Sequence, residues 1–161
     1  MPIQVRPCAA SDHIAWDQFV RAHPHGSPFH LQAWRKAIER TFGYRSCYLI
    51  AERGDQVCGL LPLFLVSNPL MGRVLLSSPF AVYGGALCDG EEARQALRGA
   101  VAEQGRRERV DYVELRNAWE EQCLGFERVR RYVTFTQELA GTEETLLEGI
   151  PRKTRAAVRK S

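Results

Sequence analysis

The sequence has no apolar run long enough to cross a bilayer. Its longest is interrupted by Pro62 and ends at Val66, well short of the ~20 residues a membrane helix requires. The opening residues, MPIQVRPCAASDH, contain no apolar core of the signal-peptide kind. No CxxC pair is present. The five cysteines, Cys8, Cys47, Cys58, Cys88 and Cys123, are an odd and scattered set, which argues against a disulfide framework and fits reduced thiols in a cytoplasmic protein. There is no internal repeat and no low-complexity segment. Positive charge is not spread over the chain either. The net charge is +3, but the final eleven residues, PRKTRAAVRKS, carry five basic side chains and no acid, which leaves residues 1–150 at −2. A nucleic-acid-binding domain usually carries its basic residues over one face of the fold, and this body does not.

What is present is the composition of an ordinary globular domain. Of 161 residues, 45% are apolar and 25% charged, enough to bury a core without disulfide or metal. Residues 3–7 read as a short strand ended by Pro7. Ser11 and Asp12 are helix-cap residues before Trp16, Phe19 and Val20, which recur at helical spacing. Residues 23–30, HPHGSPFH, form a loop. Leu31, Trp34, Ile38 and Phe42 then mark an amphipathic helix closed by Gly43. Two strands, 46–52 and 56–66, flank the hairpin residues Arg53-Gly54-Asp55. Pro62 cannot donate to a ladder, so it implies a bulge or an edge there. A strand at 73–77 leads into the loop SPFAVYGG (78–85). A short strand, 86–89, ends at Asp89 as a helix cap. Ala93, Leu97, Ala100 and Val101 line one face of the helix that begins at Glu91. Residues 110–116 and 132–139 alternate as strands, Thr142–Leu147 is a short helix, and Pro151 opens another. The order predicts a domain over 1–150 of the α/β (α+β) class, with six or seven strands in a mixed, mostly antiparallel sheet flanked by helices. It matches the N-acetyltransferase-like (GNAT) plan. The segment 151–161 is the start of a basic linker helix.

The segment PFHLQAWRKAIERTFGYRSCYLIAERGDQVCGLLPLFLV resembles the opening of the FemAB/FemX aminoacyltransferases. The pieces SSPFAVYGGALCDG and YVELRNAWE resemble that family too, as does the closing YVTFTQELAGTEETLLEGIPRKTRAAVRKS. The wording SSPFAVYGG is most similar to the subgroup associated with PEP-CTERM/exosortase systems of exopolysaccharide-producing bacteria. The resemblance implies two GNAT-like halves that transfer an acyl or aminoacyl group to an amine in cell-envelope, peptidoglycan or exopolysaccharide metabolism. It implies that this chain is the first, acceptor-binding half, inactive alone. The donor, acyl-CoA or aminoacyl-tRNA, is expected at a second half, so this half holds no cofactor and touches tRNA only through the parent. The acceptor is a small or nucleotide-linked molecule. Surfaces that a missing half would cover are expected to support a dimer.

The resemblance also points to residues. In FemX-like proteins a lysine two residues past the helix tryptophan contacts phosphates of the acceptor, and Trp34-Arg35-Lys36 matches that spacing. Lys36 lies ~140° from Leu31 on the helical wheel, off the apolar stripe, where it reaches either a ligand or solvent. In the loop, Gly84 and Gly85 permit close backbone approach to a ligand, with Ser78, Phe80 and Tyr83 as a wall. The equal alternative is a tight turn whose aromatics return to the core. Arg116 and Glu114 face the cleft or pair with each other. Arg152, Lys153 and Arg155 contact phosphate, lead into the second half, or form a solvated face. A coenzyme A cradle of the Q/RxxGxG/A kind is not recognisable, and the helix that would carry it starts at Asp89-Gly90-Glu91-Glu92, where carboxylates repel a pyrophosphate. His23, His25 and His30 cluster without a nearby carboxylate, so no metal is assigned. No cysteine stands in a Cys/His signature, and the catalytic residues stay unassigned. A stand-alone module binding a nucleotide sugar or peptide without chemistry is the alternative function.

Overall fold

The computed structural model describes residues 1–161 apart from 71, 118, 120–122, 130–134, 136–137, 139–140 and 159–161. The chain divides into two compact units, Met1–Phe126 and Glu127–Ser161.

In the first unit, β1 (Ile3–Pro7), α1 (His13–Ala22), α2 (Gln32–Phe42), β2 (Arg45–Ser46), β3 (Leu49–Arg53), β4 (Gln56–Leu61), β5 (Leu63–Asn68), β6 (Gly72–Ser77), β7 (Leu87–Cys88), α3 (Glu91–Glu108) and β8 (Tyr112–Glu114) follow in order. The strands form two four-stranded sheets, β1-β3-β4-β7 and β2-β5-β6-β8. All neighbours are antiparallel except β6 and β8. Architecture and strand sense agree with the expectation, but the single sheet becomes two.

Pro62 is where it divides. It separates β4 in one sheet from β5 in the other, because a proline brings no N–H to a ladder. The same level interrupts both neighbouring strands. Leu49 pairs with Leu61 and Ser46 with Phe64, so Cys47 and Tyr48 fall between β2 and β3. On the other side, Ser77 pairs with Leu63 and Leu87 with Leu60, and residues 78–86 leave the sheet as a strap. The irregularity in the β3–β4 ladder itself lies elsewhere, opposite Ala51 and Glu52.

Each face of this split sheet carries a core. Trp16, Val20 and Ile38 of α1 and α2 pack with Tyr48, Ile50, Leu60, Phe64 and Leu87. Ala93, Leu97 and Val101 of α3 pack on the opposite face with Leu49, Leu61, Leu63 and Leu75. Trp16 is fully buried, stacks on Tyr48 at 5.0 Å between ring centroids, and donates its indole N–H to His30 O at 2.7 Å. The predicted stripe of α2 holds except at its end, where Phe42 is exposed. Two expected caps differ. Asp12 accepts from Ala9 N (2.6 Å) and pairs with Arg6 rather than capping α1 by its side chain. The cap of α3 is Gly90, at φ +94°, and not Asp89.

The second unit contains α4 (Glu143–Glu148), capped by Thr142 through Thr145 N, and α5 (Arg152–Val158). The strand expected at 132–139 falls almost wholly outside the described residues. No helix among the described residues is long and apolar enough to cross a membrane.

Trp16→Ala removes a fully enclosed indole and its hydrogen bond. It is expected to cost about 3–5 kcal/mol, read as a lower urea midpoint at unchanged slope.

Candidate functional site

The strap of residues 78–86 is fixed almost entirely by the chain's own groups. Ser78 is completely buried and donates its hydroxyl to Phe29 O at 3.0 Å. Ala81 N donates to Ser78 O at 3.1 Å. Ser27 Oγ donates to Tyr83 O at 2.7 Å, and His30 Nε2 to Gly85 O at 3.2 Å. From the other side, Arg116 N donates to Ser77 Oγ (2.8 Å), Gly84 N to Arg116 O (3.1 Å), Arg116 Nη1 to Ala81 O (3.1 Å) and Ala86 N to Asn117 Oδ1 (3.0 Å). Arg116 also pairs with Glu114 at 2.9 Å. The strap is therefore sewn to the residues that follow β8.

The glycines are required by this sewing. A Cβ on Gly84 would lie 2.1 Å from Ser78 Cβ, and one on Gly85 would lie 1.8 Å from Asn117 Oδ1. Their close approach is to the chain itself. Phe80 does the opposite. It adopts a left-handed φ of +63°, and Ser78 one of +40°. Its ring is 61% exposed and stacks on Phe42 at 4.3 Å, with Tyr44 6.4 Å away. Tyr83 is half-buried and lines a cavity of about 10 Å³ with His25, His30, Asn117 and Trp119, the room of a single water. Trp119 stacks on His25 at 5.0 Å.

Trp34 is a partly buried residue of α2. Its ring meets Phe29 edge-on at 5.0 Å, and its indole N–H is buried with no partner among the described residues. Lys36 is exposed. Two residues turn a helix by about 200°, so Lys36 projects from the face opposite Trp34, and the structure does not bring the two together. In the second unit Arg155 donates to Glu148 O and Ile150 O, each at 3.1 Å, and so closes the end of α4, while Arg152 and Lys153 are exposed.

The start of α3 is acidic in three dimensions as well. An open recess of about 500 Å³ is lined by Met1, Arg53, Asp89, Gly90, Glu91 and Glu92, and its one arginine is paired with Glu92 at 2.5 Å. Four of the five thiols, those of Cys8, Cys47, Cys58 and Cys88, are pushed up by burial. Burial pushes Cys8 up to about 11 and Cys88 up to about 12, so both stay protonated near neutrality. Burial likewise lowers His30 to about 4. Its Nδ1 accepts from Ser27 N (3.2 Å) while Nε2 donates to Gly85 O, so both nitrogens are engaged.

Sequence reasoning did not identify Ser27, His30 and Asn117 as the anchors of the strap. Each of these anchoring bonds spans more than 30 residues, and only the Ser-Pro and Gly-Gly pairs hinted that residues 78–85 needed holding.

No protein-family model matches the sequence, and no curated protein does. Solved structures do. This is the GNAT acetyltransferase fold. A ribosomal-protein-alanine N-acetyltransferase from Brucella melitensis biovar Abortus 2308 is 10% identical, with a TM-score of 0.60 over 86% of this chain and 100% of its own. A GNAT family acetyltransferase from Staphylococcus aureus is 15% identical, with a TM-score of 0.53 over 86% and 100%. The aminoglycoside 6'-N-acetyltransferase AAC(6')-Ih from Acinetobacter baumannii is 17% identical, with a TM-score of 0.53 over 86% and 99%.

Gly84→Ala forces Ser78 and the strap apart. It is expected to destabilise the chain by about 1–3 kcal/mol, measured by urea unfolding, whereas an alanine at the open position Gly99 is expected to be neutral or slightly stabilising.

Proposed function

We propose that this chain is the acceptor-binding part of an acyl- or aminoacyltransferase of the FemAB-like kind, forming an amide in cell-envelope or exopolysaccharide metabolism. The observation that carries the reading is the start of α3. In a GNAT domain that binds coenzyme A, the backbone N–H groups at a helix N-terminus cradle the pyrophosphate. Here Asp89, Glu91 and Glu92 gather at that position, with Arg53 paired to Glu92 and Arg94 to Glu91, which leaves one carboxylate in excess of the cations. The excess carboxylate opposes an anion by charge, and the arginines that could offset it are already paired. The strap supports the same division of labour, since it fills the space beyond β6 and β8 with the chain's own hydrogen bonds. The donor then belongs to a further part of the transferase.

Lys36 is the residue assigned to the acceptor's phosphate. It is exposed, and Glu39, the one acid of α2, is engaged by Arg35 and the Ser46 hydroxyl. An ammonium with no acid partner among the described residues meets phosphate as a point charge. Phe80 and Tyr83 of the strap are assigned to the apolar part of the acceptor. A binding module without chemistry shares these contacts and differs only in lacking a donor partner.

Titration calorimetry of coenzyme A into this chain is expected to give no binding heat. Micromolar binding that weakens when Gly90 is replaced would move the donor site into this domain and overturn the assignment. In the intact transferase, Lys36→Ala is expected to raise the acceptor KM roughly tenfold, the loss of one charge-assisted contact, with kcat little changed.

A further inference from the structure

The hairpin that joins β5 to β6 ends in an apolar tip. Leu70 is 96% exposed, and Pro69 beside it is exposed as well. A lone surface leucine is ordinary, but this one stands on a built base. Its N–H donates to Asn68 Oδ1 at 2.8 Å. Just below, Arg73 N donates to Asp111 Oδ2 and Asp111 N donates back to Arg73 O, each at 2.7 Å. Gly72, at φ +80°, admits that carboxylate, since a Cβ there would lie 2.1 Å from Asp111 Oδ2. The β5–β6 ladder runs without a break from the Asn68–Gly72 pair to the Leu63–Ser77 pair, so the tip is the end of a continuous two-stranded ribbon.

Arginines gather around this base. Arg73 and Arg45 share the Glu108 carboxylate at 2.9 and 2.5 Å. Arg107 and Arg109 lie at the C-terminal end of α3. Arg107 donates to Gln104 Oε1 at 2.6 Å, and the Arg109 side chain has no partner among the described residues. These four arginines meet two acids, Glu108 and Asp111, and the neighbouring Arg106–Glu103 pair is neutral. The carbonyl end of α3 offsets only about half a charge, so this end of the first unit is positive. Tyr112, half-exposed, pairs in register with Val74, two residues along from Gly72. Tyrosine, with an apolar ring and a polar end, is a residue type that settles at a membrane–water boundary.

We propose that this end of the first unit docks on an anionic lipid bilayer, with Pro69 and Leu70 entering the boundary between headgroups and acyl chains and the surrounding arginines meeting lipid phosphates. The tip is a protrusion rather than a groove. A fluid bilayer takes a protrusion without a matching cavity, whereas a folded partner must supply one. The excess of arginine over acid selects anionic headgroups. The inference is independent of the transferase reading, since it concerns a surface that reading does not use.

Cosedimentation of the whole chain with vesicles tests this. Binding is expected to vesicles of phosphatidylcholine mixed with phosphatidylglycerol, to weaken as salt rises, and to be absent with phosphatidylcholine alone. Leu70→Ser removes no internal packing, and its fold is checked by circular dichroism. It is expected to weaken binding about tenfold, and Arg109→Ser to weaken it roughly fivefold. Unchanged affinity in Leu70→Ser would overturn the proposal, because charge alone, the basic segment 152–160 included, would then hold the vesicle. Equal binding to phosphatidylcholine alone, or no binding to the mixed vesicles, would overturn it too. So would a chain that sediments as a dimer and becomes monomeric with Leu70→Ser, which would give the tip to a second copy.

Discussion

A missing N–H at Pro62 is the constraint on which the rest of the first unit depends. A strand that ran unbroken from Gln56 to Asn68 would make one flat sheet. Without a donor at Pro62 the ladder stops for one residue, and β4 and β5 pass into different sheets. The neighbours must respond, since each pairs with both segments. On one side Cys47 and Tyr48 fall between β2 and β3, with Cys47 N still donating to Leu63 O at 2.7 Å and Tyr48 O accepting from Cys8 N at 2.9 Å. On the other, residues 78–86 are lifted away and must find their partners elsewhere. Every hydrogen bond of the strap is a consequence, because backbone groups taken out of a ladder and buried must be paired again.

The helices were legible in the sequence and the strap was not. Trp16 and Val20, Ile38, Ala93, Leu97 and Val101 fall on buried stripes as their spacing required, because helical periodicity is a local property. The hairpin at Arg53–Asp55 was equally local. Pro62 announced an interruption but not its kind. Whether a proline bends one strand or divides a sheet depends on strands tens of residues away. Gly84 and Gly85 were read as sites where the backbone approaches a ligand, or as a tight turn; the atoms that approach them here belong to Ser78 and Asn117, and spacing gives no clue to that. Phe42 followed the stripe of α2 but lies beyond the edge of the core, where Phe80 covers part of it. Lys36 was correctly taken off the apolar stripe. That the same turn of helix sends Trp34 and Lys36 to opposite sides follows from helix geometry alone.

Charge is arranged with similar economy. Arg6 bridges Asp12 and Glu52, and Glu108 is shared by Arg45 and Arg73. These pairs tie strand edges to helices at the rim of the sheets, where an exposed ion pair contributes little by itself but fixes direction. Two further positions stand out: the start of α3, where three carboxylates meet two arginines through the Arg53–Glu92 and Arg94–Glu91 pairs, and the ammonium of Lys36, whose neighbouring acid Glu39 is already engaged. The two sit on helices that cover opposite faces of the sheets.

The left-handed residues of the strap bear on how related sequences would be read. Ser78 and Phe80 occupy backbone regions that glycine or asparagine fills at lower cost. Drift under selection for stability alone would replace them with those residues within a modest number of substitutions. A lineage that keeps a hydroxyl at the first position and an aromatic ring at the second is retaining the side chains against a standing mutational pressure. The turn is thus a better guide to shared ancestry than the apolar strands around it, whose residues interchange freely as long as they remain apolar.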